Sequence, residues 1–217
     1  MDEDGRTGGD GRRDAARQPE LTARLDALHA RNPDPWGFET RFYEARKRAL
    51  TLASLPRAAF VSGLEVGCSI GVLTAELAGR AERLLAVDVS AHAVAAARSR
   101  LAGHRHVRVE QLQVPAAWPP GGFDLVVVSE VGYYLTEQEI LALADRILAS
   151  LEPDGVVVLC HWRHPLEDSA LDGDRVHELL RTRTGLAVLA EHCEEDFRLE
   201  VLVRPPAISV ARREGLI

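Results

Sequence analysis

From Pro56 onward the chain alternates short apolar runs with amphipathic stretches, and no other feature restricts the fold as strongly. Runs of strand length fall near Gly63–Val66, Leu84–Asp88, Val107–Leu112, Asp124–Ser129 and Gly155–His161. The stretches between them that have helical length and spacing are Val72–Ala81, Ala91–Ala102 and Glu137–Leu151, the last ended by Pro153 and Gly155. Strands separated by a helix lie parallel, because the crossover returns the chain to the same end of the sheet. After His161 come a polar loop, a helix around Asp174–Arg183, and the runs Ala187–His192 and Phe197–Val203, joined by Glu194, Glu195 and Asp196. That turn is too short for a crossover, so these two strands pair antiparallel. The pattern predicts an α/β fold with a doubly wound, mainly parallel seven-stranded sheet and an antiparallel last strand.

Residues 1–18 carry almost no large apolar side chains and are read as a disordered tail, leaving 19–217 as a single domain. Residues 19–56 are predicted to form N-terminal capping helices, and 57–217 the core. Leu21, Leu25 and Leu28 mark a first helix from Glu20, closed by Asn32-Pro33-Asp34-Pro35; a second runs from about Glu39 to Leu55, with Phe42, Ala45, Ala49, Leu52 and Ala53 inward. With 46% hydrophobic residues in 217, the chain can bury a full core. Twenty-six basic against 33 acidic residues give a net charge of −7, which argues against binding nucleic acid through its phosphates. No run is long and apolar enough to suggest a signal peptide or a membrane span. Cys68, Cys160 and Cys193 have no metal or disulfide spacing and suit a reducing cytoplasm. The expected partner is a small molecule or saccharide, and the expected state a monomer or homodimer.

The strongest constellation is Leu64-Glu65-Val66-Gly67-Cys68-Ser69-Ile70-Gly71, a strand entering a glycine turn that opens a helix. Glycines there permit positive φ and a close backbone approach to a ligand. About twenty residues on, Leu84-Leu85-Ala86-Val87-Asp88 ends in a carboxylate placed to accept from the vicinal hydroxyls of a ribose. The pair indicates a nucleoside-containing cofactor. The third glycine of the dinucleotide fingerprint is missing, and Glu65 would repel a pyrophosphate but suits an ammonium and a sulfonium, as in S-adenosylmethionine. Tyr43 and Lys47 have the Tyr-x-x-x-Lys spacing of some nicotinamide-dependent reductases, but they precede the glycine loop instead of following it, so the match is read as chance.

These residues, with Phe123-Asp124-Leu-Val-Val-Val-Ser129-Glu130-Val-Gly-Tyr133-Tyr134-Leu, resemble the class I S-adenosylmethionine-dependent methyltransferases, whose fold is Rossmann-like. Asp34-Pro35-Trp36, the helix with Arg46, Gly63 to Cys68 and Ser129 to Leu135 resemble the nodulation protein S group, whose founding members methylate an amino group of a deacetylated chitin oligosaccharide. The resemblance spans roughly Asp34 to Pro165. Ser69 stands where many methyltransferases have glycine, tolerable if its φ is negative, and Gln113 where many have aspartate.

The resemblance implies that Gly67, Cys68, Ser69 and Gly71 form the loop along the methionine part, with Glu65 near its amino group and Ser129 beside it. Asp88 holds the ribose, Val89 covers the adenine, and Leu112 and Gln113 edge it. Arg46 is placed for a fork to the methionine carboxylate, and Trp36 and Tyr43 to close over the sulfonium. Glu130 and His161, at the carboxyl edge of the sheet, are the catalytic candidates for taking a proton from the acceptor. Tyr133, Tyr134, Trp162, Arg163 and His164 are the candidates for lining the acceptor site. His161 and His164 lack a third ligand, so no metal is expected. The reading is an N-methyltransferase acting on an amino sugar, oligosaccharide or related metabolite; the alternatives are a small-molecule O-methyltransferase, a nicotinamide-dependent reductase and a non-catalytic cofactor-binding protein. Asp88→Ala is expected to weaken S-adenosylmethionine binding by about tenfold or more, the equivalent of one charge-assisted hydrogen bond, with the fold retained in circular dichroism; unchanged affinity by calorimetry would remove Asp88 from the site.

Overall fold

Two strands rich in β-branched and apolar residues form the centre of the sheet: β1, Phe60–Val66, and β4, Phe123–Ser129, with β2 at Ala81–Asp88 and β3 at Val107–Gln111. A computed structural model describes residues 10–217, with side chains from residue 17. β4 is buried along nearly its whole length, as expected of a parallel strand covered on both faces. Its successive side chains divide between two cores. Val126 and Val128 join Leu64, Ile140, Leu143 and Ile147 on one face, while Leu125 and Val127 join Phe60, Leu77, Val156 and Phe197 on the other.

The remaining strands are β5, Leu151–Trp162, β6, Ala187–Cys193, and β7, Phe197–Val203, and the sheet order is β3-β2-β1-β4-β5-β7-β6. β7 runs antiparallel to both β5 and β6, so the expected seven-stranded sheet with an antiparallel last strand is present. β5 begins four residues before the expected Gly155, and Pro153 is accommodated where the register with β4 jumps from Phe123↔Leu151 to Leu125↔Val156. The crossing helices are α3, Val72–Leu77, α4, Ala91–Arg100, α5, Glu137–Ser150, and α6, Gly173–Thr184. Thr136 and Glu139 form a capping box that starts α5, and Gly185, at φ +63°, ends α6. A one-turn helix, α7, Val210–Arg213, follows the sheet. No described helix is long and apolar enough to cross a membrane.

The amino-terminal helices depart most from expectation. The first, α1, spans Asp10–Arg31, so the expected tail is helical over residues 10–18, and the rest of that tail lies outside the described residues. Its interior is held by polar contacts that periodicity does not reveal: Arg17 donates to the Tyr134 carbonyl at 2.9 Å and Gln18 to Glu139 at 3.0 Å. The second, α2, starts at Phe42, not Glu39, because the Asp34 carboxylate accepts from the amides of Phe38 and Glu39 and keeps that segment a turn. Its inward face is also not the predicted one. Glu44, Lys47 and Thr51 are buried, Ala45, Ala49 and Ala53 are exposed, and Phe42 is 81% exposed.

Register fixes the carboxyl edge of the sheet. Val66 is level with both Val87 and Val128, so the following residues, Gly67, Asp88 and Ser129, come side by side. Asp88 is in turn level with Gln111, and Ser129 with Cys160. The sheet order reverses between β1 and β4, which is where an open α/β sheet offers a ligand crevice. Gly71 serves packing in this structure: it caps α3 at φ +77°, and a Cβ there would lie 3.0 Å from the Ala97 Cβ on α4. Gly71→Ala is expected to lower stability by roughly 1–2 kcal/mol from the left-handed backbone alone, read by denaturant unfolding, with more from the Ala97 contact.

Candidate active site

The turn after β1 is tied to the end of β2. The amides of Gly67 and Cys68 both donate to the Val87 carbonyl, at 2.9 and 3.0 Å, and the Ser69 amide donates to the Asp88 carboxylate at 2.9 Å. Asp88 also accepts from the Ser90 amide at 2.9 Å, so one carboxylate orders both loops at the crevice. Ser69 adopts φ +47°, against the negative value expected if serine were to be tolerated there, because its amide must point at Asp88. The only other described non-glycine residue with positive φ is Glu130, at +57°, on the facing turn. The two turns meet closely: a Cβ on Gly67 would stand 2.8 Å from the Val131 Cβ. Both strained residues lie at this edge.

Three cavities adjoin there, and Glu130 lines all of them. The first lies between α1 and the ends of β1 to β3, walled by Leu21, Leu25, His29, Val87, Asp88 and Leu112. A second, under the glycine turn, is lined by Glu65, Cys68, Ser69 and Ser129 with Arg48. The third is the roomiest, about 380 Å³ against about 80 and 50 Å³, and is walled by Trp36, Tyr43, Glu44, Lys47, Tyr133 and Trp162. Four buried polar atoms without a hydrogen-bond partner among the described residues belong to side chains lining these cavities: His29 Nδ1, Tyr43 Oη, Glu65 Oε2 and Ser69 Oγ. Burial pushes the Glu65 carboxyl up to about 8, a cost that a cation in the second cavity would relieve.

The electrostatic centre of the site is an ion triad. The Lys47 ammonium, only 5% exposed, lies 2.8 Å from Glu130 Oε1 and 3.1 Å from Glu44 Oε2. Burial alone would lower the lysine's pKa, but the two carboxylates outweigh it and raise it. Glu130 Oε2 accepts from the Tyr133 hydroxyl at 2.7 Å and the Trp162 amide at 3.2 Å. Burial raises the pKa of Tyr133, so its hydroxyl remains a donor.

The structure brings most of the expected residues to the cavities. Trp36, Gly67, Ser69, Asp88, Val89 and Leu112 line the first; Glu65, Cys68 and Ser129 the second; Tyr133 and Trp162 the third. Tyr43 lines the third cavity, apart from the other residues expected around the cofactor except Trp36, and Tyr134 lines the first, apart from Tyr133 and Trp162. Arg46 does not reach the glycine turn, because its guanidinium is held by both oxygens of Glu194, at 2.6 and 2.9 Å. Gln113 points its amide to Gln18 and leaves the cavity wall to its neighbours Leu112 and Val114. Arg163 pairs with Asp174 and the Glu194 carbonyl, and His164 with Asp196, so neither lines the third cavity.

His161 is fully buried and is not a free base. The Gly132 amide donates to its Nε2 at 3.1 Å, leaving Nδ1 to donate to His177 Nε2 at 3.1 Å, and His177 Nδ1 then donates to Glu200 at 2.7 Å. This direction requires both rings neutral, and burial lowers both pKa values accordingly. The chain of bonds braces Gly132 two residues after Glu130. Sequence reasoning missed His29, Glu44, Lys47 as a site residue, and Arg48. The available signal was polarity recurring on one face of α2, at Glu44, Lys47 and Thr51, where apolar residues belong.

Comparison with known proteins identifies the family. The family model of nodulation protein S matches residues 20–183. The nodulation protein S of Rhizobium tropici is 31% identical over 77% of this chain and 69% of its own, and that of Sinorhizobium fredii 32% over 76% and 75%. Among solved structures, a Pseudomonas syringae protein described as a methyltransferase is 44% identical, with TM-score 0.68, over 76% of this chain and all of its own. The N-methyltransferase nodulation protein S of Bradyrhizobium japonicum, solved with S-adenosyl-L-homocysteine, is 25% identical, with TM-score 0.73, over 85% of this chain and 98% of its own. This chain belongs to the nodulation protein S family of class I S-adenosylmethionine-dependent methyltransferases.

Proposed function

We propose that this protein methylates an amino group of an amino sugar, oligosaccharide or related small metabolite in the cytoplasm, with S-adenosylmethionine as donor. The observation that carries the reading is the third cavity, where aromatic rings of Trp36, Tyr43, Tyr133 and Trp162 surround a floor of two carboxylates, Glu44 and Glu130, to one ammonium, Lys47, joined to the cofactor cavities. Indole and phenol faces suit the apolar face of a sugar, and carboxylates suit an ammonium. The Bradyrhizobium japonicum relative is an N-methyltransferase, which favours nitrogen as the acceptor. Three free cysteines fit a reducing compartment.

The residues present fit the donor. Glu65 offers its Oε2, which has no hydrogen-bond partner among the described residues, for its ammonium, Asp88 keeps acceptor capacity for a ribose, and Leu21, Leu25, Val89 and Leu112 provide apolar walls for an adenine. Arg48, which also lines the second cavity, donates to Glu76 at 2.8 Å and to the Phe38 carbonyl at 2.7 Å, which leaves its Nη2 for the donor's carboxylate. Once bound, the donor supplies a methyl group on a positively charged sulfur. The protein's part is to align the acceptor nitrogen, exclude water and manage one proton. Glu130 is placed to orient both substrates, since its carboxylate is fixed by three donors and borders every one of the three cavities.

A labelled methyl donor offered with paired amine and hydroxyl acceptors, read by mass spectrometry, is expected to place the methyl on nitrogen; label on oxygen alone would overturn the amine reading. Glu65 adds a pH signature. Its folded value near 8 against an ordinary 4.5 means that the native protein holds a proton the unfolded chain has lost, so ligand-free stability falls as pH rises from about 4.5 towards 8. Glu65→Gln is expected to flatten that slope and to abolish proton release on S-adenosylmethionine binding at neutral pH, measured by calorimetry in two buffers of different ionisation enthalpy.

A further inference from the structure

Helix α2 turns Glu44 into the wall shared by the second and third cavities, and only one described side chain holds it there. Glu44 is 8% exposed, and its one described hydrogen-bond partner is Lys47 Nζ, 3.2 Å from Oε1 and 3.1 Å from Oε2. Glu130 has no such freedom, since Lys47 holds one of its oxygens while Tyr133 and the Trp162 amide hold the other. Two carboxylates therefore share a single ammonium, in a place largely shielded from water. The excess negative charge is balanced by a second cation or by a proton.

We propose that Glu44 is the catalytic residue that receives the acceptor's ammonium and takes its proton, while Lys47 and Glu130 form the fixed pair that positions it. The assignment rests on the amine reading of the third cavity. In the step, the Glu44 carboxylate removes one proton from R–NH3+, giving R–NH2 and a neutral carboxylic acid. The freed nitrogen lone pair then forms the N–C bond to the donor methyl as the C–S bond breaks and its electron pair stays on sulfur. The products are the N-methylammonium and the thioether, and the Glu44 proton leaves to solvent through the open third cavity. Burial raises the pKa of Glu44, with Lys47 and Arg48 opposing and Glu130 reinforcing the shift, which brings the carboxylate nearer to an amine in proton affinity.

The test uses Glu44→Gln in the full chain, which keeps the shape and removes the charge. For an alkylamine with a pKa near that of lysine, kcat/KM is expected to fall by about a hundredfold or more, whereas an aromatic amine, already unprotonated at neutral pH, is expected to change by less than about threefold. Equal losses for both amines, or no loss for either, overturn the proposal. Glu44→Asp, which keeps the charge, is expected to recover part of the alkylamine rate. A second measurement is independent of turnover: titration of glucosamine into the protein loaded with S-adenosyl-L-homocysteine is expected to show about tenfold weaker binding to Glu44→Gln, the loss of one charged contact, with S-adenosyl-L-homocysteine affinity unchanged. Equal glucosamine affinity for both proteins overturns the proposal. Failure of the amine reading itself has a different signature, a wild-type protein that methylates hydroxyls and neither amine, and that result overturns the proton-accepting role of Glu44 with it.

Discussion

Lys47 occupies a position where a lysine is seldom left, almost wholly buried beneath α2, and it is kept charged by carboxylates from two separate parts of the chain. Glu44 lies one helical turn before it, whereas Glu130 lies 83 residues away at the end of β4. The ammonium therefore fastens the amino-terminal helix to the carboxyl edge of the sheet. Without it the buried Glu44 and the partly buried Glu130 would confront each other uncompensated, where removing one partner of a fully buried pair costs about 3–5 kcal/mol. All three cavities adjoin this junction, and the positions of Trp36 and Tyr43 depend on where α2 is held.

The turns on either side of that junction carry strain. Ser69 and Glu130 adopt the left-handed backbone without being glycine, and in each case a hydrogen bond accounts for it: the Ser69 amide reaches Asp88, and the Glu130 amide reaches the Cys160 carbonyl at 2.9 Å. The strain aims one turn's amides and the other turn's carboxylate at the same space. The His161–His177–Glu200 chain holds the second turn from behind, and Arg181 and Arg198 neutralise its buried end.

The seven-stranded sheet, its antiparallel last strand, and the pairing of the glycine turn with Asp88 were legible because each rests on local periodicity and short spacing, whereas the strand order came only from the structure. Glu65, Cys68, Ser129 and Leu112 followed from their places at strand ends. What was not legible depends on tertiary contact. The inward face of α2 was misread because apolar periodicity assumes an apolar interior, and this helix faces a polar site. Arg46 and Arg48 look alike in sequence, and only tertiary partners separate them: Glu194 holds the first away from the cavities, while Glu76 and the Phe38 carbonyl hold the second at the wall of the second cavity. His161 sits at the right edge for chemistry, but the Gly132 amide and His177 occupy both of its ring nitrogens.

Of the three cavities, helix α1 lines the first alone. Leu21, Leu25 and His29 wall the first cavity, and no described α1 side chain lines the third. The helix is held by contacts at well-separated points: Arg17 to the Tyr134 carbonyl, Arg24 to Asp168, and Asp26 to Ser90 and His92. The bonds that dock α1 are thus separate from the Lys47 ion triad that fixes α2. Undocking α1 would therefore open the first cavity to solvent while leaving the walls of the third in place.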